Sequence, residues 1–290
     1  MRRQRSHDAA RPDVRFDSVA DTSAALVIRS YSSSFWLASR LLGSRPRREV
    51  GNIYALVRIA DEIVDAPRPG QGVEDRRRAL GRLAEETDTA LVTGSSPNLV
   101  VHAFARTAQR IGIDAALIDP FFASMRTDLE RGVHDETSLS AYIHGSAEVV
   151  GLMCLRAFLA DDGDPDARYR ELAPAAMRLG AAFQKVNFLR DIGSDADYLG
   201  RTYLPDISDS AFALRLDDVD ADLAVAATAI TALPRSSRVA VCVAHDLFAD
   251  LSRRLRLTPA SEVARNRVRV PDGVKLRIAA AAVARNGRPR

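Results

Sequence analysis

Asp61-Glu62-Ile63-Val64-Asp65 and Asn187-Phe188-Leu189-Arg190-Asp191-Ile192-Gly193-Ser194-Asp195 are two stretches in which carboxylates recur four residues apart. On a helix, that spacing puts Asp61 and Asp65 on one face, and Asn187, Asp191 and Asp195 on one face of another. Like charges so placed cost a bare helix about 0.2–0.5 kcal/mol per pair. A chain that does this twice among apolar residues calls for a cation. Oxygen-only ligands suit Mg²⁺, with Mn²⁺ as the alternative ion, and Mg²⁺ is typically held by one or two carboxylates plus substrate phosphates. The expectation is a diphosphate gripped through metal from two sides.

Reading outward, Arg58 lies one turn before Asp61 and Tyr54 one turn before Arg58, which stacks a phenol, a guanidinium and carboxylates on one stripe. The planar fork of Arg58 suits phosphate oxygens; a plain Arg58–Asp61 salt bridge is an equal alternative. Gln184 and Asn187 extend the second stripe upstream, as amides that could ligate metal or orient its water. Lys185 and Arg190 lie off that stripe, at roughly 100° per residue, so surface charge is an open reading for both.

Helical periodicity runs through nearly the whole chain. Short amphipathic segments at 19–29 and 35–42 flank the polar run Ser30-Tyr31-Ser32-Ser33-Ser34. Pro46 suits the first turn of a helix ending at about Asp65, before Ala66-Pro67-Arg68-Pro69-Gly70. The pattern predicts helices at 73–92, at 97–111 with Ser96 as cap and Pro97 at its first position, at 114–131 and at 138–160. It predicts one long helix or two in tandem over 167–198, and further helices at 217–232, 235–256 and 272–285. Asp161-Asp162-Gly163-Asp164-Pro165-Asp166 does not match a calcium loop and reads as a capped turn. The fold class expected is all-α, with helices around a central cavity. Residues 1–17, polar and carrying five Arg, read as a flexible arm, and 18–290 as a single domain.

Composition narrows the function classes. A net charge of +3 is too small to indicate nucleic-acid binding. Cys154 and Cys242, both in apolar stretches, read as buried free thiols and suit a reducing, cytoplasmic compartment. No CxxC, HExxH, GxGxxG or Walker A pattern occurs, so neither zinc nor a dinucleotide is expected. No run of 18 apolar residues calls for a membrane span.

Four motifs in order, Tyr31-Ser-Ser-Ser-Phe35, Asp61–Asp65, Gln184-x-x-Asn187-x-x-Arg190-Asp191-x-x-x-Asp195 and Gly200-Arg201-Thr202-Tyr203-Leu204-Pro205, resemble the phytoene/squalene synthase family, with the bacterial phytoene synthases nearest. The resemblance covers residues 20–285. It implies the all-α isoprenoid synthase fold and a head-to-head prenyltransferase. By that resemblance Asp61 and Asp65 bind Mg²⁺ from one wall, and Asn187, Asp191 and Asp195 from the other, with Gln184 beside them. Ser32, Ser34 and Arg58 contact diphosphate; Tyr54 and Tyr142 line the reacting centre; Arg190, Arg201 and Tyr203 serve the second diphosphate or the closing of the loop over it. Two local departures stand out: Glu148 replaces a frequent glycine in Ala147-Glu148-Val149-Val150-Gly151, and Lys185 follows Gln184 where leucine is commoner.

The implied reaction joins two geranylgeranyl diphosphates into phytoene, for carotenoid biosynthesis, through a cyclopropyl diphosphate. Tyr54, Tyr142 or the released diphosphate accepts protons, and no nicotinamide cofactor is expected. Phe35, Phe183 and Phe188 are candidates to face the cations, with core packing as their other role. Squalene or dehydrosqualene synthesis from farnesyl diphosphate is the alternative, and a non-catalytic lipid-binding or assembly factor a remoter one. Because substrate and product are lipids, transient contact with a membrane surface is expected. The oligomeric state is not legible.

Overall fold

The computed structural model describes residues 12–66, 68–130, 132–194, 203–204 and 208–286. Every regular element among them is helical. In chain order these are α1 (Pro12–Tyr31), α2 (Ser33–Ser39), α3 (Ser44–Asp65), α4 (Val73–Thr93), α5 (Leu99–Ile111), α6 (Ala115–Glu130), α7 (Glu136–Ile143), α8 (Val149–Leu159), α9 (Pro165–Ser194), α10 (Asp209–Ile230), α11 (Arg235–Arg256), α12 (Ala260–Val263) and α13 (Asp272–Asn286). A π-helical segment, His144–Glu148, joins α7 to α8. No helix among the described residues is long and apolar enough to cross a membrane.

The pattern of α3 explains its place. Pro46 sits in the first turn, where its missing N–H costs nothing. Ile53, Leu56, Ala60 and Val64 are all buried, each contributing to the core at roughly 1.5–3 kcal/mol for the large side chains. The opposite stripe, Val50, Tyr54, Val57, Arg58, Asp61 and Asp65, faces a cavity. The buried stripe packs in a core built around Phe104, Phe121 and Phe122. A second core, around Phe188, Phe212, Leu216 and Leu255, joins α9 to α10, α11 and α12.

α9 is apolar on both sides, because it separates this second core from the cavity. Leu172, Ala176, Leu179, Phe183, Gln184 and Asn187 repeat along its cavity face. It runs as one 30-residue helix through Pro174, which settles the choice between one helix and two. Against α8 and the π-helical segment before it, α9 packs backbone to backbone. A Cβ on Gly151 would lie 2.7 Å from the Ala176 carbonyl oxygen, and one on Gly180 would lie 2.5 Å from that of Ala147.

Four boundaries differ from expectation. Residues 12–17 are the first turns of α1 rather than part of an arm. Asp17 there takes Arg106 at 2.9 Å and contacts the His102 ring nitrogen at 2.8 Å, an attachment between distant residues that local polarity conceals. Asn98, not Ser96, caps α5, accepting from the Val100 and Val101 N–H groups; Pro97 precedes the cap. The predicted 138–160 helix is interrupted by the π segment. α10 begins at Asp209, capped by the Ser208 hydroxyl, eight residues before apolar periodicity becomes clear.

Candidate active site

The cavity between α3 and α9 has a volume of about 1140 Å³, above the roughly 300–1,000 Å³ usual for a site holding one small ligand. Its floor is apolar, formed by Leu155, Phe158, Leu172, Ile230, Leu233 and Val241. Its other end is polar. Asp61 and Asp65 reach it from α3, and Gln184, Asn187, Arg190 and Asp191 from α9. Ser32, Ser34, Tyr54, Arg58, Tyr142 and Tyr203 line the same cavity. Every site residue expected from the sequence is therefore gathered here except Asp195 and Arg201, which lie outside the described residues.

The local chemistry sharpens several assignments. Ser32 caps α2, its hydroxyl accepting the Phe35 N–H at 3.2 Å, so the polar run is a helix start as well as a cavity wall. Arg58 pairs with Glu62 at 2.6 Å and stacks over the Tyr31 ring at 4.5 Å. Burial opposes its charge, but the Glu62 hydrogen bond and the Asp61 and Glu62 carboxylates outweigh it and raise its pKa. Arg190 folds back onto its neighbour Asp191, Nε to Oδ1 at 2.8 Å. Lys185 turns away to α10, with the buried Asp222 at 2.7 Å and Asp218 at 2.5 Å, so it lies off the site in a largely buried ion pair rather than as a solvated surface charge. Glu148 pairs with His144 at 2.9 Å rather than lining the cavity.

Three cationic side chains of the cavity lining were missed, Arg267, Arg269 and Lys275. Arg267 places Nε 2.8 Å from Asp191 Oδ1, and Lys275 places Nζ 3.4 Å from Ser33 Oγ. All three line the same cavity as Asp61 and Asp65. The available signal was the alternation Arg265-Asn266-Arg267-Val268-Arg269-Val270, which in extended chain points alternate side chains the same way. Also missed was Asp128 of α6, which accepts hydrogen bonds from Tyr142 and Tyr203, each at 2.6 Å. Phe188 stacks on Tyr203 with ring centroids 4.3 Å apart, and Phe183 on Phe248 at 3.8 Å. Burial first, then the Asp128 charge, pushes the Tyr142 phenol well above its ordinary pKa, and burial raises Tyr54 as well.

Among the described residues no three acidic, His or Cys side chains converge tightly enough to hold an ion by themselves. The oxygen donors present could nevertheless serve a hard divalent cation. Asp61, Asp65, Gln184, Asn187 and Asp191 offer oxygen, from two walls of one cavity. Sparse carboxylates on each wall match the way Mg²⁺ is held, by one or two carboxylates with phosphate oxygens completing the shell.

Cys154 lines the cavity and is half-buried rather than the fully buried thiol expected, because the cavity opens beside it; Cys242 is half-buried as well. Burial pushes its thiol up to about 12, against a usual value near 8.5. At pH 8 the folded chain should alkylate at Cys154 at least ~10²-fold more slowly than the same cysteine in denaturant, since the thiolate is the reactive form. Mass-spectrometric mapping after iodoacetamide pulses checks this, and equal rates would contradict the burial.

The profile of the squalene/phytoene synthase family matches residues 28–222. The chain is 36% identical over 187 residues to a phytoene synthase of Cereibacter sphaeroides, covering 62% of this chain and 50% of that protein. It is 32% identical over 178 residues to a presqualene diphosphate synthase of Rhodopseudomonas palustris, covering 60% and 58%. It is 31% identical over 195 residues to a bifunctional lycopene cyclase/phytoene synthase of Blakeslea trispora, covering 62% and 31%. The matches thus span about a third to three-fifths of these relatives. Among solved structures, a dehydrosqualene synthase superposes with a TM-score of 0.77 at 18% identity, over 93% of this chain and 98% of that one. A squalene synthase of Alicyclobacillus acidocaldarius superposes with a TM-score of 0.65 at 20% identity, over 96% and 97%. At these identities the likeness concerns the fold.

Proposed function

The chain belongs to the squalene/phytoene synthase family, and from that premise we propose that it joins two geranylgeranyl diphosphates head to head to give phytoene. The observation that carries the reading is a large cavity, polar and acidic at one end and apolar at the other, which matches a diphosphate with a long hydrocarbon tail.

The side chains divide the work. Arg58, Arg190, Arg267 and Lys275 supply positive charge for diphosphate oxygens, with Ser32 and Ser34 as hydroxyl donors. Asp61, Asp65, Gln184, Asn187 and Asp191 would hold Mg²⁺, with Asp195 by resemblance, and the ion supplies Lewis-acid neutralisation of the leaving diphosphate. The apolar walls exclude water from the allylic cation, and Phe35, Phe183 and Phe188 are among the aromatic side chains lining the cavity that would surround it. Attack by the second chain, proton loss, a second ionisation and a final proton loss then give the polyene, with no reductant. Supply and release of such apolar molecules require contact with a lipid surface. The exposed Tyr31 and Leu276, the latter adjoining Lys275, support peripheral docking.

The relative named presqualene diphosphate synthase favours a second reading, in which farnesyl diphosphate is used. Purified protein is incubated with Mg²⁺ and each prenyl diphosphate separately. Phytoene and diphosphate from the longer substrate are expected. Turnover of farnesyl diphosphate alone would move the assignment to the shorter chain, and turnover of neither would favour a lipid-binding role.

A further inference from the structure

Asp128 is a buried carboxylate in the cavity wall, among aromatic side chains. Its residue is 8% exposed and lies among the cavity-lining side chains. Each oxygen has a phenol: Oδ2 accepts from Tyr142 and Oδ1 from Tyr203, both at 2.6 Å. That is the length of a charge-assisted O–H···O⁻ bond. The surroundings hold the arrangement in place. Ser124, one turn earlier on α6, donates to the Tyr142 backbone carbonyl at 3.1 Å. α6 therefore grips Tyr142 at its main chain and at its hydroxyl, immediately before the π-helical segment; such segments occur often at functional sites. The His134 ring lies edge-on to Tyr142 at 5.4 Å and stacks on Tyr203 at 5.3 Å.

An aromatic layer alone needs no buried carboxylate. Burying a charge is costly unless hydrogen bonds compensate it, and two phenylalanines would fill the same volume without that cost. A Tyr142 phenolate is suppressed by burial and by the adjacent carboxylate, so Tyr142 does not act by being ionised beforehand. As a neutral phenol already donating to Asp128, it can take a proton only while passing its own along that bond.

We propose that Asp128 is the positioning residue and proton sink behind Tyr142 in the final proton loss of the prenyl-joining reaction; the proposal rests on the function argued above. In that step the C–H bond beside the allylic cation breaks. Its electron pair becomes the new carbon–carbon double bond. The proton goes to Tyr142 Oη, and the Tyr142 hydroxyl proton moves to Asp128 Oδ2, leaving a neutral carboxylic acid and a neutral phenol. Tyr203 keeps its hydrogen bond to Oδ1 throughout and fixes the plane of the carboxylate. Water takes the proton when the cavity opens for product release.

The test compares the full-length wild-type, Asp128→Asn, Asp128→Glu and Tyr142→Phe chains with Mg²⁺ and geranylgeranyl diphosphate, following diphosphate, polyene and prenyl alcohols together. Asparagine keeps the shape and hydrogen-bonding capacity but is not a base. It should lower polyene kcat about 10²-fold, the usual range for a general base. KM should stay within about twofold, and products should divert toward alcohols from water capture of the cation, with partial rescue by glutamate. A merely structural role would not redirect product in a folded variant. Polyene formation within threefold of wild type and unchanged product ratios in Asp128→Asn would overturn the proposal. If that variant melts early, Tyr142→Phe is read on the same ratios, and wild-type ratios there overturn it equally. A wild-type chain that turns over no prenyl diphosphate would overturn the function itself, which is a different result from an active wild type with an indifferent Asp128.

Discussion

Asp61→Ala and Asp191→Ala should each lower product formation by about 10³-fold or more while leaving the chain folded. Metal neutralisation of a leaving group is worth several kcal/mol, and each 1.36 kcal/mol is a factor of ten in rate. The stability change for Asp61 should be small. Removing one of two like charges four residues apart relieves about 0.2–0.5 kcal/mol of repulsion, against the lost attraction to Arg58, so thermal unfolding should shift little. Asp191→Ala differs, because Asp191 also anchors Arg190 and Arg267, and freeing both guanidiniums should raise KM as well. Diphosphate release, read beside circular dichroism, checks both variants. Near-normal turnover with an unchanged spectrum in either would contradict the two-wall arrangement.

Gly193→Ala should destabilise the fold and weaken substrate binding together. In an ordinary helix the change gains about 1 kcal/mol. Here the added methyl would lie 1.9 Å from the Ala264 carbonyl oxygen, and a backbone atom cannot swing aside as a side-chain tip does. Overpacking of this kind costs typically 1–3 kcal/mol, which cancels the gain and leaves a net loss of up to about 2 kcal/mol. Relief requires pushing residue 264 away from α9, and Arg267, three residues on, moves with it. Urea denaturation should show the lower stability, and the KM for prenyl diphosphate should rise. A more stable variant with unchanged KM would show that the contact is not tight in solution.

The two acidic stripes were legible because helical spacing is local: Asp61 and Asp65, or Asn187 and Asp191, need only one turn of chain to fall on a face. The same applies to Tyr54, Arg58 and Gln184, and to the helical class as a whole. Contacts between distant residues left no such mark. Arg267 meets Asp191 across 76 positions and Tyr203 meets Asp128 across 75, so in the sequence Asp128 is one more charge on an amphipathic helix. The π segment is equally silent, since His144-Gly145-Ser146-Ala147-Glu148 obeys the helical pattern on either side. Lys185 shows the converse. A charge beside a functional amide looked as if it might belong to the site, and Asp218 and Asp222, more than 30 residues away, take it elsewhere.

The close contact of α8 with α9 bears on how this cavity can be altered over evolutionary time. Where Gly151 and Gly180 meet the Ala176 and Ala147 carbonyls, the separation of the two helices is fixed by main-chain atoms, and trimming side chains cannot bring them nearer. Any larger residue at either glycine forces the pair apart and meets a stability threshold before it yields a new pocket. Variation in tail length is therefore channelled to the opposite lining, where Ala226, Ala229, Ala240 and Ala244 of α10 and α11 reach the cavity. There a single added methyl shortens the space and leaves the helix spacing as it was. One wall acts as a ruler held constant, and the other carries the adjustable scale.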